Sequence, residues 1–276
     1  PGPSARRIPY YTLSGDLNSR IPMKARRFFV LTALPAMLGC LALGDGTGLV
    51  QKADDNAKYN ILFVGNSLTY TNDLPGMLEA LVDSTQEGPV HTGVYAFANF
   101  GLEDHWVEGS ARAAIADGGW DVTVLQQGPS ATEGRPSLLE YSQLFDEEIS
   151  GAGGRTALYM VWPAESRSFD FDGVSESYTM AAQQVGGLLY PVGEAWLAAW
   201  QRDPTLELDG PDRFHPREAG TYLAALVILQ QLTGVSPIGL PATFELPSGT
   251  TVSIPEDTAA ILQNAAAEAN ELYALP

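Results

Sequence analysis

Sulfur, imidazole and positive charge are all scarce in this chain. A single cysteine, Cys40, excludes an internal disulfide. Three histidines, His91, His105 and His215, without a Cys-x-x-Cys pair are too few soft ligands for a zinc site, and no metal or cofactor is expected. Lys and Arg number 15 against 33 Asp and Glu, a formal charge of -18. Binding a phosphate backbone needs clustered cations, so nucleic acid is excluded as a partner, and anionic membrane surfaces are disfavoured for the same reason. The acidic excess describes a solvated, self-repelling surface and says nothing of chemistry.

What the chain does have is apolar: 45% of its 276 residues are hydrophobic, enough to build a core without staples. One apolar run concerns export. From Met23 the chain reads MKARRFFVLTALPAMLGCLALG, a basic start, an apolar stretch and then small residues, as in a secretory signal. Pro35 and the short length argue against a permanent spanning helix, so no membrane insertion of the mature domain is expected. Residues 1–22 read as an upstream extension, 23–44 as a signal peptide and 45–58 as a polar linker. Cys40 has two readings: a lipid anchor at a bacterial lipoprotein-type processing site, or a small hydrophobe removed with the signal. Either way the mature domain is expected outside the cytoplasm, secreted, periplasmic or at the cell surface.

From residue 59 onwards, short apolar runs alternate with amphipathic stretches. The runs lie at 59–65, 90–99, 121–127, 156–162 and 188–193, with helices expected at about 74–86, 103–117, 137–150, 175–187 and 193–201. Near-continuous apolar strands alternating with helices mean a parallel sheet covered on both faces. The expectation for 59–276 is a single doubly wound, flavodoxin-like α/β domain with a five-stranded parallel sheet flanked by helices. Two more helices are expected at about 216–233 and 255–273, with a small hairpin around Ser248-Gly249 between them.

Ligands of an open parallel sheet bind beyond the carboxyl ends of its strands. The loop after the first run carries Gly65-Asn66-Ser67, the second Asn99-Phe100-Gly101 and the third Gln127-Gly128-Pro129-Ser130. Late in the chain, residues 209–220 read DGPDRFHPREAG. Asp212 stands three residues before His215, so across a tight turn its carboxylate can accept the Nδ1 proton and leave Nε2 free as a base. Serine needs such a base, because its hydroxyl is scarcely ionised at neutral pH, and Ser67 would supply the nucleophile.

With Gly65-Asn66-Ser67 after the first strand and Asp212-Arg213-Phe214-His215 late in the chain, the sequence resembles the SGNH (GDSL-type) hydrolases. Members of that superfamily carry the nucleophilic serine in Gly-Asp-Ser and the other two triad residues in Asp-x-x-His. The resemblance spans about residues 59–233 and implies catalytic roles for Ser67, Asp212 and His215. It also implies that Gly101 is an oxyanion donor, with Asn66 shaping the nucleophile turn. Where the family has Gly-x-Asn-Asp, this chain has Gly128-Pro129-Ser130-Ala131. The stretches Leu-Gln-Gln-Gly-Pro-Ser and Leu-Glu-Asp-His-Trp are similar to those of one subgroup. The missing asparagine leaves Gln127 and Ser130 as alternatives for the third donor, and Gln126 and Gln127 should face opposite ways along a strand.

The function these residues imply is an extracytoplasmic serine esterase. It would hydrolyse carboxylic esters through an acyl-enzyme, on short acyl groups such as acetyl groups of carbohydrates. The alternative is a catalytically weak or inactive binding protein of the same fold at the cell surface.

Overall fold

The computed structural model describes residues 51–273 and 275. The upstream extension, the signal peptide, Cys40 and the first part of the linker lie outside the described residues. The rest of the linker is fastened to the sheet. The Gln51 side chain donates to the Val94 carbonyl (2.9 Å) and accepts from the Val94 amide (2.7 Å), extending the ladder of an edge strand by one residue.

Five parallel strands, Tyr59–Gly65 (β1), Val90–Ala96 (β2), Val122–Leu125 (β3), Arg155–Tyr159 (β4) and Leu188–Tyr190 (β5), lie in the order β2-β1-β3-β4-β5. This is the doubly wound, flavodoxin-like order. Ile61, Leu62, Phe63 and Val64 of β1 are all fully buried, because β1 has a strand on each side and helices over each face. That double coverage is why the run carries no polar alternation. The strands β2, β3, β4 and β5 end a few residues before their apolar runs do, since the last residues of those runs already belong to the loops and helix starts at the carboxyl edge of the sheet.

The crossover from β1 to β2 runs through Leu74–Ser84 (α2), after a four-residue turn of helix, Ser67–Tyr70 (α1). The next three run the other way along the sheet, through Leu102–Glu108 (α3) with Ser110–Asp117 (α4), then Arg135–Gly151 (α5), then Phe171–Val185 (α6). Right-handed crossovers in opposite directions place their helices on opposite faces. Accordingly α3, α4, α5 and α6 pack in one layer, while α2 packs with Glu218–Thr233 (α8), which also contacts Val192–Arg202 (α7) and Glu256–Tyr273 (α9). The reversal of direction falls between β1 and β3, where loops diverge and leave a crevice.

Three local outcomes differ from the expected boundaries. The helix expected over 103–117 is two helices, because Gly109 adopts φ +89°, a left-handed conformation that ends α3 and starts α4. The helix expected from 175 begins at Phe171, directly after a 3-10 turn over Glu165–Asp170. The helix expected from 216 begins at Glu218, and it is buried along Gly220–Leu229 on all sides, because α2, α7 and α9 enclose it. Its carboxyl end is closed by Gly234 at φ +75°, the left-handed glycine that commonly ends a helix. Thr243–Glu245 (β6) and Thr251–Ser253 (β7) form the expected hairpin. Among the described residues no helix is long and apolar enough to cross a membrane.

Leu62 is fully buried in β1 between β2 and β3. Leu62→Ala is expected to destabilise the protein by about 2–5 kcal/mol, the cost of a core cavity. The measurement is a urea denaturation midpoint, with an unchanged m-value.

Candidate active site

β1 ends at Gly65 because nothing larger fits. A Cβ there would lie 2.4 Å from Thr69 Oγ1 and 2.5 Å from Gln126 Oε1. Gln126 Oε1 accepts from the Asn66 amide and from the Thr69 hydroxyl, both at 2.8 Å, while its Nε2 donates to the Gln127 carbonyl at 2.7 Å. Fully buried Gln126 thus lies beneath the nucleophile turn, and Gln127, the next residue, faces the crevice. Asn66 caps the turn: its Oδ1 accepts from the Leu68 amide at 3.1 Å and its Nδ2 donates to the Phe100 carbonyl at 2.9 Å. Ser67 opens α1, and among the described residues its own N–H meets no acceptor.

His215 comes to Ser67 from the other end of the domain. The segment 208–217 is a tight loop closed by Gly210 N–H to the His215 carbonyl (2.7 Å) and Arg217 N–H to the Leu208 carbonyl (2.8 Å). Fully buried Trp162, just past β4, anchors this loop by donating its indole N–H to the Phe214 carbonyl at 2.9 Å. Trp162 in turn stacks on Trp196 of α7, with ring centroids 3.6 Å apart. Within the loop Asp212 Oδ1 accepts the amides of Phe214 (3.1 Å) and His215 (3.0 Å), and Oδ2 lies 2.5 Å from His215 Nδ1. A carboxylate at that nitrogen assigns the proton to Nδ1, so Nε2 accepts from the Ser67 hydroxyl at 2.8 Å. The His215 hydrogen bond, and then those backbone amides, hold the Asp212 pKa below the usual carboxylate value, although burial opposes this. Asp212 therefore stays ionised through the neutral range and keeps the imidazole in one tautomer.

A cavity of about 490 Å³ opens beside Ser67, lined by Asn66, Phe100, Gly101, Gln127, Ser130 and Phe214 among others. The four residues expected to surround an oxyanion are therefore gathered at one place, but most of their donors are occupied. The Gly101 N–H donates to Asp104 Oδ2 at 2.7 Å. Gln127 Nε2 donates to Ser130 Oγ at 2.9 Å, and Ser130 Oγ donates to the Gly128 carbonyl at 2.9 Å. Gln127 Oε1 accepts the Leu102 amide at 3.2 Å, which settles the orientation of that side chain. Gln127 and Ser130, alternatives on sequence grounds, are parts of one linked pair. Glu103 and Asp104 add two carboxylates to the lining. Among the described residues no group of three or more His, Cys, Asp and Glu side chains stands in position to hold a metal ion.

Several supporting residues escape sequence reasoning. Gln126 and Trp162 act on neighbours that only the fold supplies, and Tyr178 of α6 reaches across to receive the Gln127 amide at 3.1 Å. The segment after β4 abuts the loop that carries Asp212 and His215 through Glu165 N–H to the Arg213 carbonyl (3.0 Å). His91 lies apart, its Nε2 2.9 Å from the Lys52 carbonyl. His105 of α3 is fully buried with Nε2 2.7 Å from the Gly65 carbonyl.

No protein-family model matches the sequence, and a search of curated proteins gives no match. Solved structures do match. A candidate SGNH hydrolase from Slackia heliotrinireducens superposes with TM-score 0.54 at 25% identity, over 64% of this chain and 99% of its own. A DUF4886 family protein from Bacteroides uniformis gives TM-score 0.61 at 20% identity, over 78% of this chain and 95% of its own. The acetyl xylan esterase AlAXEase gives 0.52 at 15%, over 63% and 99% respectively.

Burial pushes the His105 pKa below the ordinary imidazole value of 6.5, with the Gly65 carbonyl and the carboxylates of Glu108 and Asp104 pulling the other way. The unfolded chain therefore takes up this proton first as pH falls. Stability from His105 is complete above the ordinary value and is lost progressively below it. Urea midpoints are expected to fall between about pH 7.5 and about pH 5, and His105→Gln is expected to flatten that slope.

Proposed function

We propose that this chain, which has the fold of the candidate SGNH hydrolase from Slackia heliotrinireducens, is a serine esterase of the extracytoplasmic space. The observation that carries this reading is the continuous line from Ser67 Oγ to His215 Nε2 (2.8 Å) and from His215 Nδ1 to Asp212 Oδ2 (2.5 Å). Binding alone has no use for an unprotonated imidazole nitrogen on a serine hydroxyl. In the proposed reaction His215 takes the Ser67 proton as Oγ attacks the ester carbonyl. The tetrahedral oxyanion then faces the free Ser67 N–H. His215 passes the proton to the leaving alcohol, and water repeats the attack on the acyl-enzyme. Export is supported by the signal-like pattern over 23–44.

The cavity supports a small acyl group and a polar, uncharged alcohol. Its lining offers Asn99, Ser130 and Ser137 for hydroxyl groups, while Glu103 and Asp104 repel anions. A sugar acetyl ester fits this chemistry, and a solved relative of the fold is an acetyl xylan esterase. His215 and Asp212 are 38% and 52% exposed at the side chain, an open rim suited to a carbohydrate rather than to an enclosed long acyl chain.

One observation favours a second reading, ligand binding with slow or no turnover. The Gly101 N–H is taken by Asp104, so it can serve an oxyanion only after that carboxylate turns away. Loss of one such donor typically costs about 10²–10³ in rate.

The wild type is expected to hydrolyse p-nitrophenyl acetate faster than the decanoate, and Ser67→Ala to fall to background. Asp212→Asn is expected to lower kcat by roughly 10⁴, since the imidazole loses its assigned tautomer. A serine-reactive phosphonate should label the wild type at Ser67. Failure of labelling, with sugar-ester binding undiminished in Ser67→Ala, would favour the binding reading. Releasing the Gly101 amide with Asp104→Ala should raise kcat; an unchanged or lower value would remove Gly101 from the oxyanion site.

A further inference from the structure

We propose that His105 is a positioning residue for the nucleophile, and that it works by fixing the peptide unit between Gly65 and Asn66. The proposal rests on the esterase reading of Ser67. That peptide unit is held at both ends. Its carbonyl oxygen receives His105 Nε2–H at 2.7 Å and the Phe97 amide at 3.2 Å. Its N–H donates to Gln126 Oε1 at 2.8 Å. Hydrogen bonds on opposite edges of one planar unit prevent it from turning about its flanking Cα atoms. The direction of the chain into Ser67, and with it the aim of both Oγ and the Ser67 N–H, follows from that plane.

The imidazole is an unfavourable choice for a residue that only fills space. His105 is fully buried on α3, stacked on Phe97 (centroids 5.5 Å apart) and edge-on to Phe100 (5.1 Å). A carbonyl at Nε2 assigns the proton there, and Nδ1 is left buried with no partner among the described residues. A phenyl ring would occupy the same aromatic slot without an unpaired nitrogen. What it would lack is the N–H aimed at the Gly65 carbonyl.

The same turn of α3 also reaches the loop after β3, because the Leu102 amide donates to Gln127 Oε1 at 3.2 Å. One short helix thus ties the carboxyl end of β1 to the oxyanion side of the crevice. His105 touches neither Ser67 Oγ nor His215 in this arrangement, so it acts through the backbone and takes no part in the chemistry.

The test compares His105→Phe, which keeps the ring and removes the donor, with His105→Gln, whose amide nitrogen lies as many bonds from Cβ as Nε2 does. Thermal midpoint, kcat and KM for p-nitrophenyl acetate, and the rate of phosphonate labelling at Ser67 are measured for each. His105→Phe is expected to lower kcat and the labelling rate together by about 10-fold or more, because small misplacements of a reacting group can cost up to about 10². KM should stay within about twofold, and His105→Gln should recover most of the loss. If the phenyl ring prevents folding, His105→Leu, smaller and also without a donor, takes its place. A donor-free variant that folds and keeps wild-type kcat overturns the proposal, as does a Gln variant no better than Phe. If the wild type itself shows neither turnover nor labelling dependent on Ser67, the esterase reading falls and this role falls with it. Wild-type turnover alongside an unaffected donor-free variant removes His105 alone.

Discussion

The close approach of backbone and side chains at Gly65 is the constraint on which the site depends. Without a Cβ, the last residue of β1 admits Gln126 and Thr69 to within contact of the turn, and their hydrogen bonds converge on the residues that follow. A side chain there would push Gln126 away, and the Asn66 N–H would lose its acceptor. Ser67 stands two residues further on, where the strand has ended and the next helix has only begun. Ser67 thus lies in a turn held by hydrogen bonds to Gln126 and to the Asn66 side chain, directly after β1.

Asp212 and His215, the proposed acid and base, have a different kind of support. Asp212 and His215 lie on a loop with no strand before it, and their order is maintained locally by amides on Asp212 Oδ1. What sets the loop at the right distance from Ser67 is Trp162, which joins the end of β4 to the Phe214 carbonyl and rests on Trp196. Two indole rings therefore couple the sheet and α7 to the position of His215. Helix α8 begins shortly after, and its burial on every side leaves the loop a stationary base.

Electrostatics at the mouth of the site work in two directions. Ionised Asp212 keeps the His215 imidazole oriented and ready to accept a proton. Glu103 and Asp104 add negative charge to the cavity lining, and Asp104 binds the Gly101 amide. The Gln127 amide and the Ser130 hydroxyl are hydrogen-bonded to each other at the wall of the cavity.

Much of this is legible in the residues themselves. Apolar runs set the five strands, since a doubly covered strand leaves no room for alternation, and the Asp212–His215 pair is readable because three residues across a turn keep their ends together whatever the rest of the chain does. Gly109 escapes notice as a break, because a lone glycine inside a helical pattern is tolerated and does not by itself mark an end. The contact between Ser67 and His215 joins positions 148 residues apart, and it is inferable from motif order alone, not from local physics. Which glutamine faces the crevice, which amide Asp104 occupies and which carbonyl His105 reaches are decided only by tertiary structure. These depend on strand register and helix placement to within a hydrogen-bond length, and no local preference of the chain specifies distances that fine.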